Sequence, residues 1–191
     1  MISGILLDFF NNASTAAFLG AVFAYLLVQL TDRRRLRRKR DLLYRVLQVN
    51  HGHCEGKIVA VTTNKQMLIQ DNTVLPAPFL RFGVDDVKAL KMDTLDQLTS
   101  TEVRALDGLC YTMTEVDNIL TLIYDLARAV YKLVTENAPA EEQQATAKKL
   151  LTEYDSALVN LRRLKQMLEL FLAGKAETVV TKKYSTAEFQ A

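Results

Sequence analysis

Two long stretches of this chain carry apolar residues at alternating spacings of three and four, and no other feature restricts the fold as much. The first stretch follows Thr99-Ser100-Thr101-Glu102, which matches a helix capping box. Its apolar positions are Leu106, Leu109, Met113, Val116, Leu120, Ile123, Ala127, Val130 and Val134. Because this spacing puts the side chains on one side of an α-helix, it predicts a long helix with one face in a core.

The second stretch starts beyond Asn137, Pro139 and the pair Glu141-Glu142, a combination typical of a connection and a new helix start. Its apolar positions are Leu150, Tyr154, Ala157, Leu161, Leu164, Leu168 and Phe171, with Gly174 after them. Two long helices joined by so short a linker run antiparallel. Additional apolar residues widen both stripes, which favours a bundle within one chain over a long coiled coil between chains.

An uncharged, mostly apolar run spans Ala13–Leu30, and a block of basic residues follows it. With Asn11 and Asn12 the run reaches the about 20 residues that a membrane-crossing helix needs. A cleavable signal peptide carries its positive charge before the apolar segment, but Lys and Arg are absent from residues 1–12. Because positive charge collects on the cytoplasmic flank, we predict an inner (plasma) membrane anchor over 13–30, with residues 1–12 outside and the remainder in the cytosol of a bacterium.

Small residues recur every three or four positions along this predicted transmembrane helix. They are Ala13, Ala16, Ala17, Gly20, Ala21 and Ala24. The spacing places all six on one arc of a helix. Helices in lipid associate where small side chains let their backbones approach. We therefore predict a packing face for self-association or for another membrane protein.

The basic block is predicted to bind anionic lipid headgroups, at about 1 kcal/mol for each cation near the surface. Its residues are Arg33, Arg34, Arg35, Arg37, Arg38, Lys39 and Arg40. Of the 24 basic and 22 acidic residues of the chain, 8 basic and 3 acidic ones precede Val46, which leaves 16 and 19 behind it. The mildly acidic body argues against nucleic acid as a partner.

The whole chain is predicted to be all-α, with one N-terminal transmembrane helix followed by a cytosolic antiparallel bundle. Three long helices and short helical segments form this bundle. A helix from Thr31 to about Leu68 precedes a loop with two prolines, and short helical turns follow between Val84 and Leu98. The predicted divisions are a basic juxtamembrane segment over 31–45, a bundle over 46–174 and a flexible tail over 175–191.

Few residues suggest chemistry. Five residues separate Arg45 from His51, which resembles the loose arginine-to-histidine spacing of HEPN ribonucleases, small helical bundles that cleave RNA as dimers. The resemblance implies that His51 would act as general acid or base and that Arg45 would stabilise charge on phosphate.

Metal and cofactor sites are not predicted. His51, His53 and Cys54 lack the separated ligand pairs of a structural zinc site, and the sequence has no glycine-rich phosphate loop. Cys54 and Cys110 have no CxxC spacing and are expected to be reduced core thiols.

The sequence as a whole predicts a membrane-anchored interaction protein without enzyme activity. It would serve as an assembly, scaffold or regulatory subunit that oligomerises through its transmembrane helix and its bundle. The alternatives are a membrane-associated HEPN-like ribonuclease and an effector that perturbs the membrane.

Overall fold

The computed structural model describes residues 13–182 and 186–189, with side chains described from Gly20 onward and those of 183–187 left out. Helices are the only regular secondary structure in the described part, which contains no strand. Its five α-helices are α1 Ala13–Asp71, α2 Val84–Asp93, α3 Ser100–Thr135, α4 Ala140–Leu172 and α5 Ala176–Thr181, and its two 3₁₀ turns are Leu95–Gln97 and Thr186–Phe189. The predicted all-α bundle with three long helices is confirmed.

Helix α4 packs against both α1 and α3 and forms the centre of the bundle. Near one end, the ring centroids of Tyr44 on α1 and Phe171 on α4 are 5.9 Å apart. Further along α1, the Lys65 ammonium lies 2.5 Å from the Asp155 carboxylate of α4. Residue numbers rise along α1 as they fall along α4, so the two helices run antiparallel.

Helices α1 and α3 run in the same direction, and α2 fills the space between them on the side away from α4. Arg40 on α1 pairs with Glu102 on α3 at 3.0 Å, and Lys57 pairs with Asp117 at 3.6 Å. Residues 72–83 lead from the end of α1 back to α2 as an extended connection. The four long or medium helices therefore surround one core.

The two apolar stripes supply most of that core. Every predicted position of the second stripe is buried, and so is every position of the first except Val134, which is 44% exposed. From α1 come Leu43, Leu47, Cys54, Val61 and Leu68. Fully burying a side chain of this kind contributes about 1.5–3 kcal/mol, so the stripes account for much of the stability.

Both cysteines are free and buried among these side chains. Burial raises the pKa of the Cys54 thiol to about 12 and also raises the pKa of Cys110. Thiols held in the protonated form in a core are inert, which fits the structural role predicted for them.

Helix ends follow local sequence signals. The Thr99 side chain accepts a hydrogen bond from the Glu102 N–H at 3.2 Å, and the Glu102 carboxylate accepts one from the Thr99 N–H at 2.8 Å, so the capping box is present. Helix α4 ends at Leu172, and Gly174 shortly after it has a φ of 74°, which glycine adopts easily. The Lys175 N–H then donates to the Leu170 carbonyl at 2.9 Å, which satisfies an otherwise free helix-end carbonyl.

The predicted transmembrane helix over Ala13–Leu30 is not supported. Within the described part of the chain, no helix has both the length and the apolarity required to cross a bilayer. Side chains are described from Gly20, and Asp32 and the arginines interrupt the apolar sequence soon after Leu30. The predicted extracytoplasmic segment, 1–12, lies outside the described residues.

The described residues of the predicted flexible tail, 175–191, include a short helix and a 3₁₀ turn. Ala176 and Val179 of α5 are buried, and α5 packs on α3. The Arg162 guanidinium donates a hydrogen bond of 2.7 Å to the Phe189 carbonyl, and Phe189 itself is buried. Only two or three apolar side chains produce this packing, too few to be recognised as a periodic pattern.

Candidate interaction surfaces

The first part of α1 extends beyond the bundle as an isolated helix. Every residue from Gly20 to Arg35 is exposed, and Leu43 is the first residue of α1 in the core. Tyr25, Leu26, Leu27 and Val28 are 63%, 49%, 63% and 59% exposed. Because consecutive residues of a helix point about 100° apart, these four side chains cover its whole circumference. The helix is apolar on all sides here, and the described residues cover none of them.

Three of the six small residues can be located on this surface. Gly20, Ala21 and Ala24 are exposed on the extended part of α1. A Cβ atom built on Gly20 would meet nothing within 4 Å, so the glycine serves no packing need among the described residues. The side chains of Ala13, Ala16 and Ala17 lie outside the description. The predicted packing face therefore stays a prediction.

The basic block divides into two groups. Five arginines are exposed, and they are Arg33, Arg34, Arg35, Arg37 and Arg38. Lys39 instead pairs with Asp93 at 2.6 Å, and Arg40 pairs with Glu102 at 3.0 Å. These two cations hold the start of the bundle together. The five arginines are free to meet a surface outside the protein.

Arg45 and His51 do not form a shared site within one chain. Six residues of helix turn the second side chain about 240° away from the first. Arg45 is exposed to solvent, whereas the His51 Nε2 atom lies 3.2 Å from the Glu169 carboxylate on α4. His51 therefore takes part in the contact between α1 and α4.

A buried polar cluster, absent from the sequence-based predictions, fixes the end of the connection 72–83. We call it the polar anchor and define it as Asn50, Lys57 and Asp117. The Asn50 side-chain oxygen accepts a hydrogen bond from the Gly83 N–H at 3.0 Å. The Asp117 carboxylate accepts the Phe82 N–H at 3.0 and 3.3 Å. The Lys57 ammonium lies 3.3 Å from the centroid of the Phe82 ring.

Both charged groups of the polar anchor are largely removed from water, with Asp117 keeping 13% of its side chain exposed. Lys57 is 6% exposed, and its ammonium is 3.6 Å from the Asp117 carboxylate. Burial lowers the pKa of Lys57, although Asp117 opposes this shift. Burial likewise raises the pKa of Asp117, against the effects of the Phe82 N–H and of Lys57. The attraction between Lys57 and Asp117 therefore offsets only part of the free energy needed to remove both charges from water, as expected for a buried ion pair.

The sequence contained one signal for this cluster. Asn50, Cys54, Lys57 and Val61 follow the same three-and-four spacing as the apolar face of α1. A lysine at a core position needs a buried partner, which predicts a carboxylate on a facing helix. Nothing in the sequence shows which of the many carboxylates that is.

Metal-ligating groups do not cluster in the part of the chain that the structure describes. His51 and His53 lie beside Cys54 in sequence, but no set of three or more potential ligands comes together there. Comparison of the chain with protein-family models, with curated proteins and with solved structures finds no match.

Proposed function

We propose that this protein is a membrane-attached helical interaction protein, an assembly, scaffold or regulatory subunit whose bundle lies on the cytosolic side. The N-terminal part of α1 would insert into the inner membrane and self-associate through its small residues. The bundle would then present its surfaces to a partner at the membrane.

The observation that carries this proposal is the exposure of apolar side chains on every side of one helix. A protein partner that docks on one side would leave the opposite side exposed. Helices that are apolar all round are found in the core of large proteins or in membranes. A lipid bilayer covers the whole circumference, so lipid is the environment that matches Tyr25 to Val28.

The five exposed arginines support the same assignment. They follow the apolar part of α1 directly, at the level where a bilayer presents its headgroups. Anionic headgroups attract each such cation by about 1 kcal/mol. The rest of the protein behind Val46 is mildly acidic, so the attraction is confined to this end.

Flotation with lipid vesicles tests the attachment. The full chain, added from detergent, should float with vesicles that contain phosphatidylglycerol and should stay with them in high salt, because apolar contacts resist screening. A variant with the five arginines replaced by Gln should partition at least about tenfold less onto anionic vesicles, with little change on neutral ones. Lys148→Gln/Lys149→Gln, which changes exposed cations at the other end of the bundle, is the control.

Two results would contradict the proposal. One is a full chain that stays in solution with every vesicle composition. The other is an equal loss of vesicle binding in the control variant. Binding would then depend on the net charge of the protein and not on the position of the five arginines. Release of a dye trapped in the vesicles would favour the membrane-perturbing alternative over a scaffold.

A further inference from the structure

A shallow groove runs along the distal half of α3, beside the connection 72–83. We call it the α3 groove. Two hollows of about 190 and 540 Å³ adjoin at Tyr124 and share it as a common wall. Pro76 and Phe79 border the groove on the connection side, and Arg128 and Tyr131 border it on α3.

The groove has an aromatic floor and a cationic rim. Tyr124 and Tyr131 are seven residues apart and lie on one face of α3 with Arg128 between them, and the Arg128 guanidinium is 5.7 Å from the Tyr124 ring centroid. Tyr131 is 57% exposed. Lys132 and Arg81 add two more exposed cations to the lining.

Carboxylates balance this charge only in part. Asp117 lines the groove, but it is taken up by the Phe82 N–H and by the buried Lys57 ammonium. Asp125 is the other carboxylate of the lining. The Lys132 ammonium also lies 3.8 Å from the exposed Glu136 carboxylate, which is outside the lining. Three exposed cations thus face two exposed carboxylates, so the groove keeps a positive excess that attracts negatively charged groups.

The wall on the connection side is held in place before any ligand binds. The polar anchor fixes Phe82 and Gly83, at the end of the segment that forms this wall. A preformed site loses less conformational entropy on binding. The polar anchor therefore also fixes the position of this wall and thereby the width of the α3 groove.

The location excludes lipid headgroups as the ligand. Arg40 and Glu102 mark the end of the bundle next to the exposed arginines, and Tyr124 to Lys132 lie 22 to 30 residues beyond Glu102 on the same helix. At about 1.5 Å per residue they are roughly 33–45 Å further away. A protein segment can reach that end of the bundle while the arginines contact a membrane.

We infer that the α3 groove binds an acidic peptide segment of a partner protein, with aliphatic or aromatic side chains on Tyr124 and Tyr131 and carboxylates at Arg128 and Lys132. This inference rests on the proposed role as an interaction protein, and its preference for a protein ligand over lipid rests also on the proposed membrane contact of the arginines. A peptide fits better than RNA because the body that surrounds the groove carries more acidic than basic residues, 19 against 16 behind Val46. RNA carries a negative charge on every nucleotide and would extend these charges over the acidic body, whereas a short peptide can confine its carboxylates to the groove.

A peptide array probed with the full chain in detergent tests the inference. The array presents peptides that combine Glu or Asp with Leu or Phe, together with copies in which Gln or Asn replaces each acid. The full chain should prefer the acidic peptides, and Arg128→Gln/Lys132→Gln should bind them at least about tenfold more weakly. Lys148→Gln/Lys149→Gln removes the same charge outside the groove and should bind as the wild type does.

Equal binding of acidic and neutral peptides, or equal binding by the groove variant, would overturn the inference. Stronger competition by oligouridine RNA than by the acidic peptides would also overturn it and would assign the groove to nucleic acid. A dimer of the full chain in detergent that Arg128→Gln/Lys132→Gln dissociates would show that a second copy is the occupant, and would overturn the inference too. Vesicle flotation of the groove variant should be unchanged, so failure here is distinguishable from failure of membrane attachment.

Discussion

The Lys57–Asp117 pair offers the sharpest test of how the bundle is held together. Asp117→Asn keeps an oxygen that accepts the Phe82 N–H but removes the charge that faces Lys57. At the observed 3.6 Å and an effective dielectric constant of about 20, the lost attraction is about 4–5 kcal/mol. Part of this is recovered because Lys57, whose pKa is already lowered by burial, can release its proton. We expect Asp117→Asn to lower the free energy of unfolding by about 3 kcal/mol.

The double variant Lys57→Met/Asp117→Asn should regain most of that loss. Met has a similar length and no charge, so both desolvation penalties disappear together. We expect the double variant to unfold within about 1 kcal/mol of the wild type. Urea unfolding of the full chain in non-ionic detergent, followed by far-UV circular dichroism, measures the four corners of the cycle.

Trypsin provides a second, local readout of the same pair. Arg81 is exposed and precedes the two residues that the polar anchor holds. Cleavage after Arg81 should accelerate in Asp117→Asn more than cleavage elsewhere in the bundle. The exposed pair Lys65–Asp155, changed to Met and Asn, serves as the control and should affect neither measurement appreciably. Strictly additive effects of the two substitutions would refute the coupling between Lys57 and Asp117.

Two further predictions concern pH and self-association. Because burial lowers the pKa of Lys57, the folded state binds fewer protons than the unfolded state between that lowered pKa and about 10.5. The free energy of unfolding of the wild type should therefore rise with pH across this window, relative to that of Lys57→Met, and fall as the pH drops through it. Urea titrations at several pH values measure this difference. Gly20→Leu should reduce the yield of crosslinked dimers in native membranes, because the glycine makes room for a second helix. Val22→Leu, on the opposite side of α1, should leave the yield unchanged. Equal dimer yields in the two variants would contradict the predicted packing face.

Long periodic patterns made the bundle predictable. Leu106 to Val130 and Leu150 to Phe171 each repeat their spacing over many turns, so chance matches to another structure are improbable. The capping box at Thr99 added a boundary that local hydrogen bonding determines. The apolar stripes and the capping box depend on residues that are near one another in sequence, so both can be predicted from the sequence alone.

The polar anchor and the groove depend on residues that are distant in sequence. Lys57 and Asp117 meet only because α2 and the connection 72–83 separate α1 from α3 by a particular amount. That separation results from packing of the whole bundle, which no local pattern encodes. The short helix that begins at Ala176 likewise depends on contacts with residues that are distant in sequence.

Helix α1 is continuous from Ala13 to Asp71 and has no break between its apolar part and the bundle. At about 100° per residue, Asn50 lies about 120° around the axis from Gly20. A contact on the Gly20 side of α1 would therefore determine how each bundle is rotated about the α1 axis. Two associated copies would therefore hold their α3 grooves at a fixed angle to one another. Inserting a single residue into α1 before Leu43 would change the direction of each groove by about 100°.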